Sequence, residues 1–377
     1  MDNQEAGLGR NILCAFAIVP NKLGGREQFA IEIARQLKPH GRRLVLAFEG
    51  PPSPKVKEAL LAPGNITLEV LPRQAALDLD NARRFQRLLR KYRPEAMLYA
   101  LGGVIRLWPL LAKLNGMKRI LYNDGTSRTD MNYRAGWSAN TLMKPLTHVV
   151  CVSHFVKECS DREGIVPSEK SEVIYNSADL DRPLGDGAAF RRKHGIPEDR
   201  IVVLKVSWLV PEKGIDVALQ AAKRALDERN DLQFVFCGDG AYREEYKQTA
   251  EQLGIAEHVT WAGQVEDLAG SGAFAAADLQ IQCSQWQEAF CMGVAEGMSA
   301  GLPVIASRIG GLPELIAEGE NGYLFDPRDD KTLAARIVDL AADKALRERM
   351  GRNGRQRAAE RHDLHKNVAR WIDLLVA

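Results

Sequence analysis

The sequence lacks the features that identify membrane-spanning, disulfide-rich, repetitive and secreted proteins. No apolar run approaches the ~18 residues that a membrane-spanning helix needs. The six cysteines show no CxxC pair and no repeating interval, unlike a disulfide framework or a cysteine-based metal site. No low-complexity segment or short-period repeat occurs, which excludes collagen-like and disordered chains. The first 20 residues hold an apolar stretch of only about eight residues after acidic ones, so no secretory signal is predicted.

The composition is that of a soluble globular protein, with 45% hydrophobic and 27% charged residues. A length of 377 residues favours two domains, because single cores rarely grow beyond about 250 residues. The cysteines fall mostly in apolar, strand-like runs, which predicts reduced, buried thiols and a cytoplasmic location. They are Cys14, Cys151, Cys159, Cys237, Cys283 and Cys291.

The net charge of +2 conceals two halves of opposite sign. Residues 1–180 hold 26 Lys and Arg against 18 Asp and Glu, a net charge of +8. Residues 181–377 hold 25 against 31, a net charge of −6. Such an asymmetry favours different partners for the two halves of the chain.

Strand-length apolar runs alternate with amphipathic, helix-length segments along the chain. Strands this apolar are typical of a parallel sheet covered by helices on both faces. The β-α-β-α order therefore predicts two doubly wound α/β domains, residues 1–180 and 181–360, with a turn-rich boundary near residues 176–187. Residues 361–377 are predicted to form a helix that packs back toward the first domain. The apolar runs are residues 11–19, 43–49, 66–71, 96–101, 118–123, 147–153, 171–176, 200–209, 232–240, 258–265, 279–285 and 302–307.

The stretch 284–325 carries the most specific pattern. Glu288 and Glu296 stand eight positions apart and are followed by closely spaced glycines and prolines. A loop that carries Glu288 would enter a helix whose free N–H groups favour a diphosphate. A second carboxylate two turns along would hold sugar hydroxyls at the other end of a nucleotide sugar. The alternative is that both glutamates are solvated surface charges, as an isolated pair usually is.

This stretch resembles the C-terminal signature of the retaining glycosyltransferases of the GT-B fold, family 4 (group 1). The resemblance implies two Rossmann-like domains that face a cleft. It assigns Glu288 to the hydroxyls of the donor sugar and Glu296 to the ribose hydroxyls. The remaining donor-binding residues that it implies are Phe290, Cys291 and Met292, whose backbone amides face the sugar, together with Ala289, Gly238, Gly263 and Val265.

Residues 206–221 resemble the strand and helix in which the family's Arg and Lys clamp the diphosphate. Lys213 and Gly214 match the pattern, but Trp208 replaces the arginine. An indole cannot supply a bidentate cation for a diphosphate. Either Lys213 and helix N-termini suffice, or another arginine such as Arg308 approaches, or activity is weak or lost.

The loop that opens the first helix resembles the family's glycine turn, with Gly24, Gly25 and Glu27 matching. Such a turn lets backbone N–H groups approach the leaving phosphate and the acceptor. Asn123 and Asp124 stand where the family commonly has a histidine. Either can hydrogen-bond the donor sugar, although neither titrates near neutrality as histidine does. The alternative for this pair is a capping aspartate at the end of a strand.

Residues 81–95 form a basic amphipathic helix, which favours an anionic bilayer surface on the inner face of the membrane. The alternative is a solvated crossover helix. No nucleic-acid-binding motif accompanies the charge. By analogy with the fold, Asp130, Tyr133 and Arg134 are placed at the acceptor. The basic residues of the helix are Arg83, Arg84, Arg87, Arg90, Lys91 and Arg93.

The resemblance implies transfer of a sugar, with retention, from a nucleotide-diphospho-sugar to a hydroxyl of a glycolipid or cell-envelope polysaccharide precursor. The catalytic set is then Glu288, Lys213, Asn123 and Asp124. No metal and no cofactor other than the donor substrate is expected. The alternatives are a sugar-nucleotide epimerase and a degenerate nucleotide-sugar-binding protein, which Trp208 would suit. An NAD dehydrogenase is disfavoured, because no G-x-G-x-x-G follows the first strand.

Overall fold

The structure, a computed structural model, describes residues 10–21, 23–72, 79–100, 107–126, 141–164 and 167–376. The chain divides into two compact units. The first unit comprises the chain up to Asn176 together with the segment from Leu364 onward. The second unit is Ser177–Asp363. The chain therefore passes from one unit to the other twice.

The described part of the first unit is built on a parallel sheet. Its strands are β1 (Asn11–Phe16), β2 (Arg43–Phe48), β3 (Ile66–Val70), β4 (Ala96–Ala100), β5 (Arg119–Asp124), β6 (His148–Cys151) and β7 (Ser171–Val173). Its first helices are α1 (Gly25–Leu37), α2 (Pro54–Leu61), α3 (Leu79–Tyr92), α4 (Trp108–Leu114) and α5 (His154–Glu163). The strand order is β3-β2-β1-β4-β5-β6-β7, so the order reverses between β1 and β4.

The second unit is built in the same way. Its strands are β8 (Ile201–Val206), β9 (Leu232–Cys237), β10 (Val259–Gly263), β11 (Leu279–Gln282), β12 (Val304–Ser307) and β13 (Gly322–Phe325). Its helices are α6 (Gly187–Lys193), α7 (Ile215–Glu228), α8 (Arg243–Gln252), α9 (Met292–Ser299), α10 (Leu312–Leu315), α11 (Asp330–Ala342) and α12 (Lys344–Arg361). The parallel order β10-β9-β8-β11-β12-β13 is typical of nucleotide-binding sheets and reverses between β8 and β11.

The C-terminal helix α13 (Leu364–Val376) belongs to the first unit. Its apolar side chains recur at helical spacing and are buried against α1 and the sheet. The ring of Trp371 meets that of Phe29 edge to face, with ring centres 5.6 Å apart. This helix therefore completes a core that the first strands of the chain begin.

Hydrophobic residues in the described chain lie mainly in the strands and on the inner faces of helices. In α1, Ala30, Ile33, Ala34 and Leu37 follow the i, i+3, i+4, i+7 spacing and are fully buried. The strands are buried along most of their length, as expected where helices cover both faces of a sheet. Within the described residues, no helix has both the length and the apolar character needed to cross a bilayer.

The predicted fold class, two parallel α/β domains, is confirmed. The strands are shorter than the apolar runs that predicted them, because several runs continue into the loop beyond the strand. The strand β13 was missed in the sequence. It spans four residues and begins at a glycine, so it offers too short a pattern to be recognised. Gly322 is required there, since a Cβ would lie 1.9 Å from the carbonyl oxygen of Val304 on β12.

The cysteines agree with the prediction of reduced, buried thiols. All six are free, five are buried and Cys291 is half-buried. Burial raises the pKa of Cys237 to about 12 and that of Cys283 to about 11. These thiols therefore stay protonated and unreactive at neutral pH.

The helix α3 has an apolar inner face and a basic outer face. Phe85, Leu88 and Leu89 are buried, and the ring of Phe85 stacks on Trp108 with centres 4.7 Å apart. The six basic side chains named above are exposed. Arg84 pairs with Asp80 at 2.7 Å and Lys91 with Glu69 at 2.8 Å. Among the described residues, the other four have no ion-pair partner.

Candidate functional site

The loops after β8 and β11 meet at the carboxyl edge of the second sheet. The two strands are neighbours, and the strand order reverses between them. In open α/β sheets, ligands bind outside the carboxyl ends of the strands at this point of reversal. The loop after β8 carries Lys213 and the loop after β11 carries Glu288. These loops therefore bring together the two residues that the sequence pattern had placed far apart.

The carboxylate of Glu288 is buried and accepts two hydrogen bonds on one oxygen. Glu288 is 6% exposed. Lys213 Nζ donates to its Oε1 at 2.5 Å, and Ser284 Oγ lies 2.5 Å from the same oxygen. Within the described chain, no hydrogen bond reaches Oε2. The second oxygen is thus the one that can accept from a ligand.

The backbone of Glu288 is held by the glycine pair that follows β12. The N–H of Gly311 donates to the carbonyl of Glu288 at 2.7 Å. Gly310 has φ +57°, and a Cβ at this position would lie 2.3 Å from the same carbonyl oxygen. Only glycine permits both the left-handed backbone and this close approach. The glycine spacing that marked the motif in the sequence therefore serves to position Glu288.

Lys213 is fixed by the tight turn that precedes α7. Gly214 has φ +61°, and the side chain of Lys213 passes over the ring of Trp286, with Nζ 4.9 Å from the ring centre. The backbone N–H of Gln285 donates to the carbonyl of Glu212 at 2.8 Å. The loops after β8 and β11 are therefore tied by backbone, by charge and by an aromatic contact.

The loop between Glu288 and α9 is anchored from below. Phe290 is buried, and its ring meets that of His362 edge to face at 5.3 Å. Cys291, the residue before the helix, has φ +101°, which is rare for a residue with a side chain and is often found at binding sites. Burial, together with the charge of Glu288, raises the pKa of Cys291 to about 12. This thiol is therefore neutral beside the carboxylate.

The helix α9 starts at Met292 and directs its first N–H groups toward the same edge of the sheet. Ala289 and Phe290 are buried, whereas Met292 is half-buried. Glu296 lies only about 6 Å along the helix from Met292, in its second turn. It is therefore nearer the helix start than the two turns predicted, because the first residues after Glu288 are not helical.

Gly238 directly follows β9, and Gly263 ends the neighbouring strand β10. The N–H of Gly238 donates to the carbonyl of Gly263 at 2.8 Å. Gly238 has φ +149°, and a Cβ there would lie 1.8 Å from the carbonyl oxygen of Ser207. Val265, also predicted to bind the donor, is half-buried and packs on the core below. The glycine lets the loop after β9 lie against the loop after β8.

Gly238→Ala is expected to destabilise the protein by about 3 kcal/mol or more, because the new methyl group would overlap a backbone carbonyl. Gly263→Ala is the matched control. Gly263 also has a left-handed backbone, with φ +70°, but a Cβ there meets nothing within 4 Å. The control variant should lose only about 1–2 kcal/mol. Urea unfolding of both variants measures the difference, and equal losses would contradict the close approach.

The sequence did not decide which cation would contact the diphosphate, because Trp208 replaces the family's arginine and Arg308 was one candidate in its place. Trp208 is 69% exposed just beyond β8. Arg308 directs its guanidinium to Glu318, at 3.4 Å, and to Asp326, at 3.9 Å. The ammonium group that the structure places against Glu288 is that of Lys213.

The first unit holds the other predicted site residues at the carboxyl edge of its own sheet. Asn123 and Asp124 end β5 and are half-buried and buried, respectively. The N–H of Thr126 donates to Asp124 Oδ1 at 3.2 Å, which is the capping contact weighed as the alternative. Gly24 precedes α1, and its N–H donates to the carboxylate of Glu27 at 2.8 Å. That N–H is therefore occupied in this structure. Gly25 begins the helix.

Asp130, Tyr133 and Arg134, predicted to bind the acceptor, lie outside the described residues.

Three residues that the sequence reasoning missed lie beneath Glu288. They are Ser284, Gln282 and Lys205, each at most 1% exposed. Polar residues inside apolar strand runs were the signal that could have revealed them, since such residues are seldom buried without a partner.

Two parallel α/β units, with a candidate ligand site at the carboxyl edge of the second sheet, are the architecture of the GT-B fold of glycosyltransferases. A glycosyltransferase from Rickettsia africae superposes with a TM-score of 0.81, at 21% identity over 97% of each chain. Anabaena Alr3699/HepE, solved in complex with UDP, superposes with a TM-score of 0.78 over 97% of this chain and 99% of its own, also at 21% identity. At these identities the likeness shows the fold.

The family follows from the sequence matches. Residues 23–182 match the model for glycosyltransferase family 4, and residues 186–357 match that for glycosyl transferases group 1. The GDP-mannose-dependent alpha-(1-6)-phosphatidylinositol monomannoside mannosyltransferase of Mycolicibacterium smegmatis is 27% identical over 310 residues, 78% of this chain and 79% of the relative. The chain belongs to the group 1 glycosyltransferases, and the resemblance found in the sequence is confirmed.

Proposed function

We propose that this glycosyltransferase moves a sugar, with retention, from a nucleotide-diphospho-sugar to the hydroxyl group of an acceptor. The observation that carries the proposal is the buried carboxylate of Glu288, fixed on one oxygen by Lys213 and Ser284 with the other oxygen open. A carboxylate held in this way is suited to accept hydrogen bonds from sugar hydroxyls. The adjoining helix start and Lys213 are suited to a diphosphate.

The proposed donor position follows from these charges. The diphosphate lies by the first N–H groups of α9 and by Lys213, and the sugar lies against Oε2 of Glu288. Glu296, farther along α9, is proposed for the ribose. As the bond between the anomeric carbon and the diphosphate breaks, negative charge grows on the leaving oxygen, and Lys213 and the helix start stabilise it.

The proposed chemistry needs no covalent intermediate on the protein. The acceptor oxygen bonds to the anomeric carbon on the face that the diphosphate leaves, and the acceptor proton passes to the leaving phosphate oxygen. Lys213 supplies positive charge at the diphosphate, so we propose that transfer does not require a divalent metal. Asn123 and Asp124 remain candidates for donor-sugar contacts, and Gly25 is a candidate for the leaving phosphate.

The relatives support the class of donor and of acceptor. One structural neighbour was solved with UDP, and the mycobacterial relative is named for GDP-mannose. A nucleotide sugar is therefore the proposed donor. The same relative is named for a phosphatidylinositol monomannoside, which supports a glycolipid as the acceptor.

A donor screen tests the proposed function. UDP-, GDP- and ADP-sugars are added singly, and a rise in the melting temperature identifies the donor by linkage. Transfer to candidate acceptors is then followed with and without EDTA, and the anomeric configuration of the product is read by NMR. Absence of any shift would overturn the nucleotide-sugar proposal, and a shift without transfer to any acceptor would favour a degenerate nucleotide-sugar-binding protein. An inverted product would overturn retention alone.

The basic face of α3 is proposed to hold the enzyme at an anionic membrane, where a lipid acceptor resides. Basic side chains close to such a surface each contribute about 1 kcal/mol. Arg83, Arg87 and Arg90 of this face lack an ion-pair partner among the described residues. The apolar side chains Phe85, Leu88 and Leu89 of α3 are buried in the core. Attraction would therefore be electrostatic and sensitive to salt.

Liposome flotation tests this attachment. The triple variant Arg83→Gln, Arg87→Gln, Arg90→Gln should lose binding to vesicles that contain anionic lipid. The control removes the same charge from α12, where Arg349, Arg352 and Arg355 are also exposed. Equal binding by the two triple variants would show that α3 is not the attachment surface.

A further inference from the structure

Lys205 is a buried lysine in the middle of the second sheet. It lies on β8 and is 1% exposed. Burial lowers its pKa, since an ammonium group loses its hydration in the core. An aliphatic residue would fill this place without that cost. A lysine at this position therefore calls for a role that an apolar side chain cannot serve.

A chain of hydrogen bonds leads from Lys205 to Glu288. Lys205 Nζ lies 3.4 Å from Gln282 Oε1. Gln282 Nε2 donates to Ser284 Oγ at 2.8 Å, and Ser284 Oγ lies 2.5 Å from Glu288 Oε1. Gln282 and Ser284 are 1% and 0% exposed. The chain is thus shielded from water along its length and ends at the carboxylate of the site.

The hydrogen bonds of this chain all run in one direction, from Lys205 toward Glu288. Lys205 Nζ donates to Oε1 of Gln282, which holds this oxygen toward the lysine. The amide must then present its NH2 group to Ser284. A hydroxyl that accepts from this group turns its own proton toward Glu288. The identity of Lys205 thereby determines where the proton of Ser284 points.

We propose that Lys205 and Gln282 are positioning residues, which fix the direction of the Ser284 hydroxyl and so reserve Oε2 of Glu288 for the donor sugar. With donations from Ser284 and Lys213, Oε1 is saturated and the carboxylate cannot rotate freely. The open oxygen then has a defined direction before the sugar arrives. This inference rests on the proposed role of Glu288 as the sugar contact.

Gln282→Glu tests the direction of donation. A carboxylate at this position pairs with Lys205, so the fold is retained, but it accepts from Ser284 and turns the hydroxyl away from Glu288. Gln282→Met removes the polar contacts and leaves the hydroxyl free to rotate back. We expect kcat/KM for transfer to fall roughly 10- to 100-fold in Gln282→Glu and less in Gln282→Met. Lys205→Met, which frees the amide to flip, should resemble Gln282→Met.

The two readouts separate positioning from a structural role. If the chain only stabilised the core, activity would follow the melting temperature, and Gln282→Glu would be no worse than Gln282→Met. The nucleoside diphosphate without sugar should bind all variants with the same Kd, because Glu288 is proposed to touch the sugar. In a Ser284→Ala background, Gln282→Glu should have no further effect on kcat/KM, since the hydroxyl that it reorients is gone.

The outcomes separate this proposal from the proposed function. Wild-type protein that transfers sugar, with Gln282→Glu as active as Gln282→Met or as wild type, would overturn the positioning role alone. Additive losses in the double variant would overturn it as well. Wild-type protein that binds no nucleotide sugar would overturn the proposed function, and the positioning role with it.

Discussion

Glu288→Gln is expected to lower kcat/KM for sugar transfer by about 10³-fold, and to lower stability because Lys213 loses its partner, while the protein still folds. Glutamine has the same shape and keeps an oxygen for Ser284, but it carries no charge. The charge-assisted hydrogen bonds to the sugar are lost, and the ammonium group of Lys213 no longer faces a carboxylate. Steady-state kinetics with the donor found in the screen measures the loss, and the melting temperature checks the fold.

Glu251→Gln provides the matched control, because Glu251 is an exposed glutamate of the same unit, near the end of α8. Its activity should equal that of wild type. A Glu288→Gln protein that keeps more than a tenth of wild-type activity would show that this carboxylate does not contact the reacting sugar. Binding of the nucleoside diphosphate alone should change little in either variant.

Lys213→Met is expected to lose both activity and stability. Removing one partner of a buried ion pair leaves the other charge uncompensated, which costs about 3–5 kcal/mol. The side chain of Lys213 is 18% exposed and that of Glu288 is 9% exposed, so the lower end of this range applies. Transfer should fall by about 10²- to 10³-fold, because the leaving diphosphate loses its cation.

The double variant Lys213→Met, Glu288→Gln distinguishes the two effects. With the buried charge removed as well, the free energy of unfolding should recover most of the loss, whereas transfer should remain abolished. Lys223→Met is the control, since Lys223 pairs with Asp227 at the surface and should change stability by no more than about 0.5 kcal/mol. A single variant as stable as this control would mean that the pair is solvated in solution.

The sequence was sufficient for those parts of the fold that depend on local pattern. Apolar runs predicted the strands of both sheets because buried parallel strands are apolar on both faces. The residue types and spacing around Glu288 were sufficient to identify the family. The short strand β13 was not predicted, because four residues are too few to show a periodic apolar pattern.

What the sequence did not reveal depends on which strands become neighbours. Lys205 and Gln282 belong to strands that pair only after the chain has run through β9 and β10 between them. No local pattern connects a lysine in one apolar run with a glutamine in another. The contact of Gly24 with Glu27 was likewise invisible, because the motif is the same whether the N–H binds a ligand or the helix's own side chain.

Trp208 shows that a departure from a family motif can be seen in the sequence without its structural consequence being predictable. Its departure from the family's arginine was evident in the sequence, but the consequence was not. With Trp208 exposed and Arg308 engaged by two carboxylates, Lys213 is the cation described at Glu288. The Lys213→Met variant therefore also measures how far one lysine serves where the family pattern has two cations.

The helix α13 has a consequence for how the chain is made on the ribosome. Residues 177–363 separate the first unit from the helix that closes its core. At 5–20 residues per second, roughly 10 to 40 s pass before this helix is synthesised. During that interval the surface that Trp371 will cover, including Phe29, is open to solvent and to chaperones. The unit that is translated first is thus the one whose core receives its last helix only at the end of synthesis.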